Sequence, residues 1–418
     1  MACSRLVIVA LVVLLAGTGC AREDAIAEGP WRGEIELNGH QVPFNFVVAR
    51  EAGRLSVTYF NAGEQLPVEE VVWEGPQLGL NFPSYSSTLT ARVAGDALSG
   101  EIRLVRPGKT HSLPIRARHG ATHRFFAEPA ADAADLGGRW AMQLGNLAGG
   151  ASQPAVALLK QEGTTLTGTV MIDTGDYRFL AGEVRGRSLY LSSFDGGGVQ
   201  LWRGELDERG QLSGTFNSVT ARDARWSAYR DEAATVADPA AMTTMKSADA
   251  RLEFSFPDLD GRTVSLSDEK FGGKVVLVIL AGSWCATCHD EARTMMPIYA
   301  EYASRGLEVV YLMYEYTTEF AAAEKQMRAW RARYGIPYPM LFVGDTARDT
   351  RGRALPMLTD VVAFPTSIFV DRNGAVRQIH TSFPGPATGA AHETYKADFR
   401  ALVEQLLAEP EKQEPQTP

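Results

Sequence analysis

A pair of cysteines two residues apart, set between a buried strand and a helix, limits this chain more than any other feature. Val275 to Leu280 is an unbroken apolar run, Trp284-Cys285-Ala286-Thr287-Cys288 follows it, and the residues beyond keep helical spacing. Cysteines at that separation close a small disulfide ring or open to a dithiol. At the start of a helix, unpaired N–H groups and the partial positive charge of the helix end favour a thiolate over a thiol. Cys285 falls at that end. Cys288 lies one turn further in, where burial keeps its thiol protonated until a base removes the proton. The pair divides into an attacking and a resolving sulfur.

Three other readings of the pair stand beside this one. A Cys-X-X-Cys can be half of a zinc site, but the chain carries four cysteines and seven histidines. With Cys3 and Cys20 in the leader, no second cysteine pair remains to complete such a site. A structural disulfide rarely places both sulfurs on the first turn of a helix. With His289 the string reads Cys-Ala-Thr-Cys-His, the attachment pattern of a c-type haem, which has no need of the buried strand ahead of it. The redox pair is preferred, and no metal or cofactor is expected.

The first twenty residues read as an export signal. Arg5 supplies positive charge, Leu6 to Ala16 is a short apolar run, and small residues precede Cys20. The run is too short for a comfortable membrane span. Gly17-Thr18-Gly19-Cys20 resembles a bacterial lipoprotein processing box, with Gly17 where leucine is usual. Residues 1–19 are then a signal peptide and Cys20 a lipidated first residue; ordinary secretory cleavage is the alternative. Either route leads to the cell envelope or periplasm, where disulfides form. A net charge of −9 without a basic stripe argues against nucleic acid as a partner.

The chain has 418 residues, 45% of them hydrophobic, enough for two or three cores. Residues 28–120 and 135–232 read as two copies of one unit. Trp31-Arg32-Gly33 is echoed near Arg139-Trp140, Gly75 with Leu78 and Leu80 by Gly186 with Leu189 and Leu191, and Leu98-Ser99-Gly100 by Leu212-Ser213-Gly214. Short alternating runs between glycine, proline and asparagine turns predict an antiparallel barrel or sandwich in each copy. The repeated tryptophans are assigned to the cores. No chemistry-bearing cluster marks this half, which leaves it a binding, spacer or docking role. An alanine-rich stretch, 233–250, reads as a linker, and 409–418 as a polar tail.

From 251 to 408 strands alternate with helices, then a hairpin turns at Asn373-Gly374 and a last helix presents Tyr395, Phe399, Leu402 and Leu406. That order describes an α/β sandwich. Phe256-Pro257-Asp258-Leu259-Asp260-Gly261, Lys274-Val275-Val276-Leu277-Val278, Trp284-Cys285-Ala286-Thr287-Cys288 and Phe364-Pro365-Thr366, in that order, resemble the TlpA/ResA-like branch of the thioredoxin superfamily, exported and membrane-tethered disulfide reductases. The resemblance covers the last domain only. The whole reads as a multidomain chain, two repeated antiparallel β domains followed by a thioredoxin-fold domain.

The resemblance implies that Cys285 is the nucleophile, Cys288 the resolving thiol and Pro365 a cis-proline facing the pair, with Trp284, Phe364 and Thr366 beside the incoming substrate. Glu291, three residues after Cys288, matches the family's glutamate that handles the resolving thiol's proton; Glu315, at the end of the next strand, is a second acid candidate. Ile279 stands where thioredoxin has a buried polar residue, which leaves the proton work to Glu291. His289, if protonated, would stabilise the Cys285 thiolate. The function expected is reduction of disulfides in exported proteins, with an upstream membrane electron donor and a lipid anchor as partners. A peroxiredoxin-type thiol peroxidase is the alternative, although Val278 and Gly282 occupy the places of its polar peroxide cradle. A ligand-binding lipoprotein with an auxiliary redox domain is the non-enzymatic one.

Overall fold

Short alternating runs separated by glycine turns become two nine-stranded antiparallel sheets in the computed structural model, which describes residues 25–145 and 152–410. The export signal, Cys20 and residues 411–418 lie outside the described residues. In each sheet the strands follow one another in meander order and the first strand pairs with the last: Gly29–Leu37 with Lys109–His119, and Gly138–Leu144 with Ala224–Arg230. In the second copy Gln153–Glu162 also pairs with Thr165–Ile172, which pairs in turn with Leu180–Arg185, so the sheet closes into a barrel. The first copy keeps a seam between Glu64–Pro67 and Glu70–Glu74. Closure of this kind removes the sheet edge and its unpaired backbone groups.

The duplication extends to side-chain detail. Trp31 donates from Nε1 to Ala27 O at 2.9 Å and Trp140 from Nε1 to Leu136 O at 3.0 Å, each reaching back four residues. Both rings are core, at 0% and 1% exposure. Gly100 and Gly214 hold equivalent places on their strands, and a Cβ at either would collide with the neighbouring strand, at Thr90 O in one copy and Arg203 O in the other. The two copies also share packing: Phe194 of the second inserts among Phe44 and Tyr59 of the first, each at 5.0 Å between ring centroids.

The last domain is built on a five-stranded sheet in which Met340–Asp345, Leu307–Glu315 and Val275–Ala281 run parallel, then Thr366–Val370 and Val376–Thr381 add antiparallel. Val275–Ala281 is buried on both faces along its whole length, which explains why its seven residues are all apolar. Helix α1 (Ala286–Tyr302) leads from it to Leu307–Glu315, and α2 (Phe320–Tyr334) leads on to Met340–Asp345. A short α3 (Arg348–Ala354), too brief for a periodic signal, precedes the hairpin, and α4 (Ala390–Ala408) closes the chain. Trp330 of α2 packs on His289 of α1, and Tyr302 of α1 donates to Glu404 of α4 at 2.9 Å. The three long helices therefore share one side of the sheet. The segment after the second barrel is tied down, with Lys246 N donating to Met357 O at 2.9 Å. No described helix is long and apolar enough to cross a membrane.

Candidate active site

Strand Val275–Ala281 delivers the chain into a turn whose shape is set by the end of its neighbour. Gly282 has no room for a side chain, since a Cβ there would collide with the Trp284 indole and Tyr314 O. Glu315 accepts from Ser283 N at 2.9 Å and from the Ser283 hydroxyl at 2.6 Å, and Trp284 Nε1 donates to Tyr314 O at 2.7 Å. These bonds aim the next residue, Cys285, at the start of α1. Its sulfur caps the helix, accepting from Cys288 N at 3.2 Å, with the Thr287 hydroxyl 3.4 Å away. Cys285 and Cys288 are joined as a disulfide, with Cα atoms 5.2 Å apart. The sulfur of a dithiol would keep the same helix-end donors, which stabilise an anion there.

Phe364–Pro365 is a cis peptide, and Phe364 O lies 3.5 Å from Cys285 Sγ. Trp284 is half-buried, stacked on Tyr316 at 4.7 Å and edge-on to Phe364 at 5.7 Å. These residues gather round the outer sulfur. Thr366 does not join them. It is fully buried, its hydroxyl donates to Ala363 O at 2.8 Å, and its backbone is held between Leu280 and Thr381, so the expected substrate contact is corrected to an internal one.

Two further expectations change. His289 is 1% exposed; one ring nitrogen, Nε2, faces Ser283 O at 2.7 Å and the other, Nδ1, the Tyr334 hydroxyl at 2.7 Å. Burial, with Arg333 nearby, pushes its pKa well below the usual imidazole range. A neutral ring that donates to the carbonyl and accepts from the phenol fits both bonds and supplies no charge to Cys285. Glu315 is buried and its carboxyl is pushed up to about 7 by burial, opposed by the Ser283 bonds. Both its oxygens are engaged by Ser283, making it the brace of the turn rather than a free acid.

Glu291 is fully buried as well. Ser367 Oγ donates to its Oε1 at 2.9 Å, while Oε2 has no partner among the described residues. Burial pushes the carboxyl up to about 8, against the pull of Ser367. Its place three residues after Cys288 puts the two side chains on neighbouring helix positions. A carboxyl near 8 is matched to a thiol of ordinary pKa about 8.5, so a proton can pass between them at little cost.

Cys288, His289, Asp290 and Glu291 of α1 are all buried because the β domains cover what the sheet does not. Tyr85 of the first barrel lies against His289, ring centroids 4.4 Å apart. Arg178 of the second barrel, itself in the left-handed region at φ 54°, reaches Asp290 through Nε at 2.9 Å and Nη2 at 3.0 Å. It also holds Glu64 of the first barrel at 2.5 Å and Asp195 at 2.8 Å. Asp176 accepts from Gly385 N at 2.7 Å, in the loop before α4. One guanidinium thus joins all three domains two residues past Cys288. Neither Arg178 nor Asp290 stood out in the sequence; a run of His289-Asp290-Glu291 at the head of an otherwise amphipathic helix was the one trace of it.

Comparison with known proteins falls on this last domain. Residues 246–395 match the Redoxin family model. The chain is 32% identical over 128 residues to the thioredoxin-like protein YneN of Bacillus subtilis, covering 31% of this chain and 67% of that one. It is 26% identical over 125 residues to the thiol-disulfide oxidoreductase ResA of Bacillus thuringiensis, covering 30% and 64%. The chain thus spans about two thirds of the length of the curated relatives it matches. Among solved structures, a putative thiol:disulfide interchange protein DsbE from Chlorobium tepidum aligns over 38% of this chain and 99% of its own, at 24% identity and a TM-score of 0.30.

Proposed function

We propose, from the premise that this chain belongs through its last domain to the thioredoxin-like thiol–disulfide oxidoreductases, that it reduces disulfides of exported proteins at the Cys285/Cys288 pair. The observation that carries the proposal is the placement of Cys285 Sγ at the α1 N-terminus, beside Phe364 O, with Cys288 N–H directed at it. In the dithiol state the Cys285 thiolate attacks one sulfur of a substrate disulfide. A mixed disulfide forms and the other substrate sulfur leaves as a thiolate. Cys288 then gives its proton to Glu291 and attacks Cys285 Sγ. The second substrate sulfur is released, and the protein is left with the intramolecular disulfide. Two electrons have passed to the substrate, and a dithiol donor must return them.

Export and a lipid anchor at Cys20 belong to the same reading, since a dithiol that works on secreted disulfides has to meet them outside the cytoplasm. Phe364 O and the half-buried Trp284 face would receive the substrate strand. The test uses the full chain with Cys288→Ser, presented in reduced form to a disulfide-bonded protein. A stable mixed disulfide through Cys285, absent from Cys285→Ser, is the expected result. Failure to trap any adduct while the unmodified protein turns over would contradict it.

A further inference from the structure

Between the second barrel and α4 lies a cleft of about 250 Å³, beside strand Val376–Thr381 at the edge of the five-stranded sheet. Its walls are apolar: Ile172 from the barrel, Phe369 from the sheet, and Phe399 and Leu402 from α4. Asp173 and Asp398 add two acids, and no lysine or arginine is among the residues that line it. His380, also in the lining, brings no positive charge, because burial pushes its imidazole down to about 4 against the pull of Asp238 and Asp398. A water takes up roughly 30 Å³ of liquid, so this is room for a large side chain rather than a packing gap. Apolar walls with acids and no cation suit an apolar side chain that has a basic neighbour.

One end of the cleft adjoins the cysteines through both domains that form it. On the side of the last domain, Ser382 and Pro384 line it, and Ser382 N donates to Pro365 O at 2.8 Å. The carbonyl of the preceding residue, Phe364, lies 3.5 Å from Cys285 Sγ. On the barrel side Gly175 lines it, and a Cβ there would stand 3.6 Å from Thr287 Cγ2. The Thr287 hydroxyl is in turn 3.4 Å from Cys285 Sγ. Asp176 fixes this end by accepting from Gly385 N at 2.7 Å. From Ser382 the lining runs back along the edge strand through His380 to Gln378. An extended chain that reacts at Cys285 and passes Pro365 therefore carries the side chains within a few residues of its cysteine into the cleft, at about 3.3 Å per residue.

We propose that this cleft is a substrate subsite, selecting disulfides whose cysteine has an apolar side chain and an adjacent lysine or arginine within about two to four residues. The inference rests on Cys285 being the attacking sulfur, as proposed above, and adds the class of partner it meets. The apolar side chain packs between Ile172 and Leu402, and the cation faces Asp398, which is exposed. The second barrel supplies one wall of the subsite, so its docking on the last domain contributes to substrate choice. Ile172 and Asp398 touch the substrate away from the reacting sulfurs and set specificity without taking part in the exchange.

The test uses the reduced full chain with Cys288→Ser, which stops the reaction at the mixed disulfide, and short peptides whose single cysteine is joined by a disulfide to thionitrobenzoate. The Cys285 thiolate attacks the peptide sulfur, the Cys285–peptide bond forms, and the coloured aromatic thiolate leaves with the electron pair of the broken bond. Its absorbance gives the rate. A leucine–lysine pair is placed at successive positions on either side of the peptide cysteine, and matched peptides carry serine for the leucine or glutamate for the lysine. At the favoured positions the leucine–lysine peptide should reach half-saturation at a concentration at least about tenfold below both matched peptides, with a similar limiting rate. Ile172→Trp, which fills the cleft, should erase the preference for leucine. Asp398→Lys, an exposed change that leaves the fold intact, should erase the preference for lysine. The serine peptide should react with both variants as it does with their parent. Equal half-saturation for all three peptides at every position would overturn the subsite while leaving Cys285 as the nucleophile. So would a leucine preference that survives Ile172→Trp or a lysine preference that survives Asp398→Lys. No thiolate release from any peptide would remove the nucleophile itself, and the subsite with it.

Discussion

Replacing Arg178 by methionine should loosen the whole assembly at one point. The guanidinium is 7% exposed and faces Glu64 at 6%, Asp195 at 13% and Asp290 at 1%. Methionine keeps most of the volume and removes the charge, leaving three buried carboxylates with Arg293 as their one remaining cationic neighbour among the described ion pairs; Arg293 pairs with Asp290 and lies 3.6 Å from Glu64. Removing one partner of a buried ion pair costs about 3–5 kcal/mol, because the partner charges stay desolvated. At about 1.4 kcal/mol per tenfold, that weakens docking of the barrels on α1 by roughly two to three and a half orders of magnitude. The cost falls on the contacts between domains, since each core is built without Arg178. Urea unfolding read by tryptophan fluorescence, with limited proteolysis at each step, should show cleavage in residues 233–250 well before the cores melt. Adding Glu64→Gln and Asp290→Asn to Arg178→Met should recover most of the loss, since an apolar or neutral set avoids the unpaired charge. A single variant that unfolds within 1 kcal/mol of the parent, the low range of exposed pairs, would refute the claim that this cation holds the domains together.

Other perturbations bear on the site. The rate at which Cys288 resolves a mixed disulfide should rise about tenfold between pH 7 and pH 9, as the deprotonated fraction of a carboxyl near 8 grows from roughly a tenth to nine tenths; in Glu291→Gln stopped-flow rates should be slower and lack that inflection. Stability should fall as pH rises from about 4.5 to 8. Glu291 and Glu315 have folded pKa values above their ordinary 4.5, so in that window the folded state holds protons the unfolded chain has lost, and the Asp176 carboxyl, pushed up to about 6 by burial and the nearby Asp290, adds to the slope from 3.8 upward. Urea titrations at pH 5, 7 and 9 should show this decline, and Glu291→Gln should flatten it; a rise over the window would contradict the burial argument. Gly282→Ala should break the Trp284 bond to Tyr314 O and slow mixed-disulfide formation with protein substrates, measured as the second-order rate, without preventing folding.

The last domain was legible because its signals are local and strong: seven apolar residues in a strand, helical spacing after the cysteines, Asn373-Gly374 at a hairpin. The barrels were legible as a repeat, and the matched glycines show why, since Gly100 and Gly214 answer the same steric demand in each copy. What the sequence hid is contact between distant segments. Arg178 and Asp290 are 112 residues apart. Nothing in the local pattern says that a second-barrel loop will cover the helix carrying the cysteines, so Asp290 drew no reading and His289 was read as a possible charge. Thr366 sat in the right tripeptide, yet strand pairing on both sides turned it inward. Glu315 was found as an acid at a strand end, but its use depends on Ser283 across the sheet, which only the fold brings within 2.6 Å.

The central claim is that Cys285 exchanges with disulfides. The most direct measurement gives the reduced full chain equal concentrations of a disulfide-bonded protein and hydrogen peroxide, and follows by mass spectrometry which one oxidises Cys285 and how fast. Rapid exchange with the protein disulfide, ending in the Cys285–Cys288 bond with the partner released as a dithiol, is the result the account predicts. Preferential oxidation by peroxide through a sulfenic acid at Cys285 would contradict it.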